Sequence, residues 1–126
     1  METLEFRFHE LVELVPRFEK VASNSIHKAV SALEYAFRKG NKSFVCGNGG
    51  SAADAQHFAA EFVNTFLRDL NRKALPVLAL TTDSSILTSI SNDFDFNDIF
   101  SRQVEAYGAP GDVFIAFTTS GSSRIV

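Results

Sequence analysis

The sequence has a single cysteine, Cys46, so no internal disulfide framework can hold it, and a reducing compartment suits it. It has no tryptophan and only three prolines among 126 residues. Long apolar runs are missing too. The longest, Val113 to Phe117, is far too short to span a bilayer. Neither sign of charge dominates: the formal net charge is -3 and no basic stripe is present, which argues against a nucleic-acid surface. The first residues, Met1-Glu2-Thr3-Leu4-Glu5, are acidic and lack an apolar centre, unlike a secretion signal. With no such signal, the triplet Asn41-Lys42-Ser43 is not read as a glycosylation site. A cytoplasmic chain with neither nucleic-acid nor membrane partner is the expectation.

Hydrophobic residues at 45% and charged residues at 21% describe one ordinary globular domain. Thirteen phenylalanines carry nearly all the aromatic bulk, for the core or for subunit contacts. The division expected is a helical segment over residues 1–40 and an α/β core over 41–126. Leu11, Val12, Leu14, Val15, Phe18 and Val21 recur at helical spacing, with Pro16 starting or kinking a helix. A second helix is predicted after Ser23-Asn24-Ser25, whose side chains suit an N-cap, with Ile26, Ala29, Val30, Leu33 and Phe37 as its stripe and Gly40 as its stop. Phe6, Phe8, Phe18 and Phe37 hint at a partner surface on this segment.

Beyond residue 41 strands and helices alternate. Ser43 to Cys46, Pro76 to Thr81 and Asp112 to Thr118 read as strands; Ser51 to Phe62, Ser84 to Ser91 and Asp98 to Tyr107 read as helices. Arg68 to Ala74 reads as a charged connection. Continuously apolar strands of this kind indicate a parallel sheet covered on both faces.

Ligands of such sheets bind beyond the carboxyl ends of the strands. Two turns there have phosphate-binding chemistry. Cys46-Gly47-Asn48-Gly49-Gly50-Ser51 lets the backbone approach an anion at the start of a helix, with Asn48 and Ser51 as added donors. Thr118-Thr119-Ser120-Gly121-Ser122-Ser123 gathers five hydroxyls about one glycine, enough to wrap a phosphate without lysine. Neither fits a P-loop or a dinucleotide fingerprint. Gly, Ser and Asn also dominate ordinary turns, and it is the presence of two such turns on one sheet edge that favours a site.

On the helix after the first turn, Asp54, His57 and Glu61 share one face. His57 and Glu61, four apart, could move protons between adjacent sugar carbons or supply two ligands to a divalent metal. The same spacing also suits a plain solvent-facing pair, against which the surrounding Ala and Phe speak. Asn92-Asp93 could hydrogen-bond sugar hydroxyls or simply end a helix.

The run Cys46-Gly-Asn-Gly-Gly-Ser-Ala-Ala-Asp-Ala-Gln-His-Phe-Ala-Ala-Glu61, followed by Ala79-Leu-Thr-Thr-Asp83, Ser91-Asn-Asp93, Asn97 to Glu105, Gly111-Asp-Val-Phe and Thr119-Ser-Gly121, resembles the phosphoheptose isomerases of the sugar isomerase (SIS) superfamily. The resemblance implies a three-layer αβα sandwich with a flavodoxin-like parallel sheet, assembled as a homotetramer. It implies aldose–ketose isomerisation of sedoheptulose 7-phosphate to D-glycero-D-manno-heptose 7-phosphate through an enediol, serving nucleotide-activated heptose and lipopolysaccharide biosynthesis. By the family pattern Asn48, Gly49, Gly50, Asn92 and Asp93 contact substrate, while Thr118, Thr119, Ser120 and Ser123 hold chiefly its phosphate. His57 and Glu61 match two zinc ligands, and Glu61 is also the proton shuttle.

The resemblance has departures. Thr65 stands where the family usually has a basic residue, and Arg68 to Leu75 is longer than the usual link. The chain also stops at Val126, short of a further helix, strand and C-terminal helix and of a catalytic or metal-binding glutamine and histidine. It is therefore read as incomplete at its C-terminus, with a one-sided core, and as inactive should Val126 be the true end. A non-catalytic relative, binding a replication initiator or acting as a sugar-phosphate-binding regulatory module, is the alternative; it needs the turns but not Glu61.

Overall fold

A computed structural model describes residues 3–69 and 71–125; Met1, Glu2, Val126 and Leu70 of the connecting stretch lie outside the described residues. The chain divides into two compact units, Met1–Glu34 and Tyr35–Val126.

The first unit is helix. α1 runs unbroken from Leu4 to Arg38, with its last turn in the second unit. Two helices meeting near Ser23 were expected, and this is corrected. The Ser23 hydroxyl donates back to the carbonyl of Glu19 (2.6 Å) instead of capping a new helix. Pro16 lies inside α1, and exposed neighbours leave water to satisfy the carbonyl that its missing N–H would have bonded. Leu11, Val12, Leu14, Val15, Phe18 and Val21 form the foreseen apolar series, and all are exposed.

In the second unit, Gly40 ends α1 at φ 80, where a side chain would be strained. Three parallel strands follow: β1 (Ser43–Gly47), β2 (Val77–Ala79) and β3 (Val113–Phe117), in the order β2-β1-β3. Between them lie α2 (Gly50–Val63), α3 (Ser84–Asp93), a 3-10 turn (Phe96–Asp98) and α4 (Ser101–Tyr107). The single helix expected from Asp98 is thus split, because the Asp95 carboxylate accepts from the amide of Asn97 (2.8 Å) and opens a tight turn there. Asp83 caps α3 as foreseen, accepting from the amide of Ile86 (2.9 Å).

β1 is buried along its whole length. Its alternating side chains serve two cores. Phe44 and Cys46 pack with Leu80, Ile90, Ile99 and Phe100 on the side of α3 and α4. Val45 packs with Ala55, Ala59, Val77 and Ala79 on the side of α2, with Phe37, Phe58, Phe62, Ile115 and Phe117 against them. The core is therefore two-sided, not one-sided, and the layers are helix, sheet, helix. Alternation along one central strand is the reason: residues one apart point to opposite faces, so one apolar run must be covered twice. Burying Phe44 alone contributes about 1.5–3 kcal/mol. β3 is covered less completely, with Phe114 and Ala116 exposed.

At the amino end of the sheet, Asp112 ties β3 to β1. Its carboxylate accepts from the amides of Lys42 (3.0 Å) and Ala109 (2.9 Å) and pairs with the Lys42 ammonium at 2.7 Å. The Lys42 amide and then its ammonium hold this carboxyl well below the usual carboxylate range. This clasp leaves the opposite, carboxyl end of the sheet for chemistry. Among the described residues no helix is long and apolar enough to cross a membrane.

Candidate active site

The register of β1 against β3 pairs Gly47 with Phe117. Both Gly/Ser-rich turns therefore leave the sheet from directly opposed residues. Gly47 has to be glycine: a Cβ there would lie 2.5 Å from the carbonyl oxygen of Ser51. Gly49 takes φ 57 at the N-cap of α2 and no side chain caps the helix, so its first-turn amides keep no side-chain acceptor. Together the turns enclose a small polar cradle of about 220 Å³, lined by Asn48, Ser51, Phe117, Thr118, Thr119, Ser120 and Ser123.

The second turn is held by its own hydroxyls. Thr118 Oγ1 accepts from the amide of Gly121 (3.1 Å) and Ser120 Oγ from that of Ser122 (3.2 Å). Gly121 turns the chain at φ 65. Thr119 and Ser123 line the cradle without spending their hydroxyls on the turn.

Beside the cradle a larger open cleft of about 480 Å³ runs along α2. Asp54, His57 and Glu61 line it with Phe58, Phe62, Phe66, Arg72, Leu75 and Phe117. Phe58 stacks near Phe62 (ring centroids 4.6 Å apart) and meets Phe117 edge-on at 5.7 Å, so its wall is aromatic. His57 Nε2 lies 3.7 Å from Glu61 Oε1, too long for a direct hydrogen bond. The imidazole is 76% exposed and the Glu61 side chain 28%. The pair is thus open to a ligand while resting on an apolar wall, an environment in which a carboxylate can exchange protons with a bound carbon acid.

A nitrogen and an oxygen at this spacing could share a metal ion. A zinc site, however, takes three or four protein donors, and among the described residues no group of three or more His, Cys, Asp or Glu side chains could hold one. His57 and Glu61 are by themselves an incomplete donor set.

The structure gathers most of the sequence-predicted residues. Asn48, Ser51, Thr118, Thr119, Ser120 and Ser123 meet in the cradle, and His57 and Glu61 in the cleft. Gly49 and Gly50 shape the turn without lining either cavity. Asn92 and Asp93 are the last two residues of α3, exposed, with the Asn92 amide donating to the Asp93 carboxylate (2.7 Å); they line neither cavity. Sequence reasoning overlooked Arg72, which sits in the cleft wall from a stretch read only as charged connection. Its signal was faint, one arginine among several charges.

Comparison with known proteins bears on this arrangement. The chain is similar to a phosphoheptose isomerase of Synechocystis sp., with 52% identity over 92% of this chain and 59% of that protein. It is similar to one of Geobacter sp., with 50% identity over 98% of this chain and 63% of that protein. Among solved structures, a phosphoheptose isomerase from Neisseria gonorrhoeae superposes with a TM-score of 0.86 at 40% identity, over 98% of this chain and 65% of that one. The chain thus spans about three fifths of the length of the curated relatives it matches. Residues 8–126 match the family model of the SIS domain, covering both turns and the helix between the cavities. With its parallel sheet, its paired turns and that match, the chain belongs to the SIS domain family.

Proposed function

We propose that this chain carries the binding half and part of the catalytic half of a phosphoheptose isomerase site, acting on sedoheptulose 7-phosphate. The observation that carries the reading is Phe117, which walls both the hydroxyl cradle and the cleft of His57 and Glu61. A phosphate seated in the first leaves the sugar chain to enter the second.

In this reading Thr118, Thr119, Ser120, Ser123, Asn48 and Ser51 hold the phosphate through neutral hydrogen bonds, with Gly49 and Gly50 giving close backbone approach. Glu61 removes a proton from C1 of the ketose, leaving an enediol, and returns it to C2. The hydroxyl proton moves from O1 to O2, for which His57 is the neighbouring acid–base group. No atom is gained or lost, as isomerisation requires. Asn92 and Asp93 belong to the proposal as contacts to sugar hydroxyls. Zinc, when bound, would polarise the carbonyl oxygen; His57 and Glu61 would be two of its donors.

A homotetramer is part of the proposal, supported by the exposed apolar series of α1. So are a cytoplasmic location and a place in activated-heptose synthesis for lipopolysaccharide. The test is incubation of the full-length protein with sedoheptulose 7-phosphate, with and without zinc, while the aldose product is monitored. Turnover that Glu61→Gln abolishes, with phosphate binding retained, supports the enzyme. Phosphate binding without turnover in the full-length protein would favour a sugar-phosphate-binding module instead, and unchanged turnover in Glu61→Gln would remove that carboxylate from the chemistry.

A further inference from the structure

We propose that Arg72 is a positioning residue whose guanidinium ties off the carbonyl end of α2 and so holds Glu61 against the cleft. The inference rests on the isomerase reading for what Glu61 does, but its geometry stands apart from that reading.

The last carbonyls of a helix have no partner within it. At the end of α2, the carbonyl of Ala60 accepts from the amide of Asn64 (2.8 Å). The next two are taken by one side chain: Arg72 Nη2 donates to the carbonyl of Glu61 (2.6 Å) and Nη1 to that of Phe62 (2.8 Å). Nη1 also reaches the carbonyl of Lys73 (3.0 Å), and the amide of Leu75 donates to Phe62 (3.1 Å), so the connection is folded back on the helix end. α2 has no basic residue in its own last turn. Among the described residues that line the cleft, Arg72 is the one lysine or arginine, set at the negative pole of α2 in the same cavity as Asp54, His57 and Glu61.

A planar fork suits this task better than an ammonium, because it meets two neighbouring carbonyls at fixed separation. Glu61 sits in the turn so fixed, and Phe62, which packs on Phe58, sits beside it. Loosening the tie moves the carboxylate relative to the aromatic wall without removing any group that holds phosphate.

The experiment compares the unaltered protein with Arg72→Met, Arg72→Lys and Glu61→Gln, reading kcat and KM for sedoheptulose 7-phosphate and amide exchange of Asn64 and Leu75 against that of β1. The expected result for Arg72→Met is a kcat lowered by about tenfold or more with KM changed by less than about threefold. Exchange at Asn64 and Leu75 should quicken by about tenfold or more while β1 stays protected. Arg72→Lys should fall between, and it decides the matter alone should Arg72→Met fail to fold. Unchanged kcat, a rise in KM alone, or full recovery by lysine would each overturn the proposal. If Glu61→Gln keeps its turnover, the role given to Glu61 fails, and the exchange measurement still judges the tie.

Discussion

Gln103 offers a test of how the site is supported from behind. It is one of the few buried polar side chains, 5% exposed, on the short helix α4. Its amide nitrogen donates to the carbonyl of Leu80 (2.9 Å) and to that of Ile99 (2.7 Å), both of good length. Leu80 follows β2, is fully buried, and leads into the turn of Thr81 and Thr82. Gln103→Met keeps the length of the side chain and removes both donors. Each neutral bond contributes about 0.5–1.5 kcal/mol net, and stranding a buried carbonyl costs about 1–3 kcal/mol. The loss should therefore be about 2–3 kcal/mol, read as a lowered urea midpoint at unchanged slope.

Gln103→Glu sharpens the test through its pH dependence. An ionised carboxylate there would face two carbonyl oxygens with no donor, so the folded state favours the protonated form and raises its pKa. The folded protein then binds more protons than the unfolded one. The stability of this variant relative to the unaltered protein must fall as pH rises through the ordinary glutamate range. A loss below about 0.5 kcal/mol for Gln103→Met would refute the reasoning, since it lies under the smallest net value for two such bonds. So would a penalty for Gln103→Glu that is independent of pH.

Three further outcomes are expected. Asp112 has a lowered folded pKa, so its stabilisation is full above the ordinary aspartate range and is lost as pH falls below it; the urea midpoint of Asp112→Asn should be lower than that of the unaltered protein at pH 7, and the gap should shrink below pH 4. Burial pushes the Cys46 thiol up to about 11, leaving about one part in a thousand as thiolate at pH 8, so a disulfide reagent should label it only on unfolding. Gly47→Ala should lower the stability by about 2 kcal/mol or more, read as a lower urea midpoint, because its Cβ would meet the Ser51 backbone at 2.5 Å. Gly49→Ala has open space around its Cβ, but its backbone at φ 57 and ψ -122 is strained for any side chain by about 1–3 kcal/mol, so its stability should fall as well.

The three strands and α2 were legible because their signals are local. Apolar runs bounded by glycine and charge point to buried strands, and Ala-rich periodicity after a glycine turn points to a closely packed helix. The continuity of α1 was not legible. Pro16 and the Ser23-Asn24-Ser25 cluster are local breakers, and whether a hydroxyl caps a new helix or bonds back to the preceding turn is decided by the chain around it. The split before α4 was missed for a like reason, since one aspartate's acceptor bond set the turn.

By itself the sequence determined that His57 and Glu61 share a helix face, since a period of 3.6 places i and i+4 side by side whatever surrounds them. It determined as well that two hydroxyl- and glycine-rich turns follow apolar strands. Only the tertiary structure decided that those turns meet. Gly47 and Phe117 are seventy residues apart in sequence and become neighbours because β1 pairs with β3, a long-range choice that no local pattern encodes. The same holds for Arg72, whose fork finds the end of α2 only after the connection has folded back, so nothing in its own neighbourhood of sequence marks it.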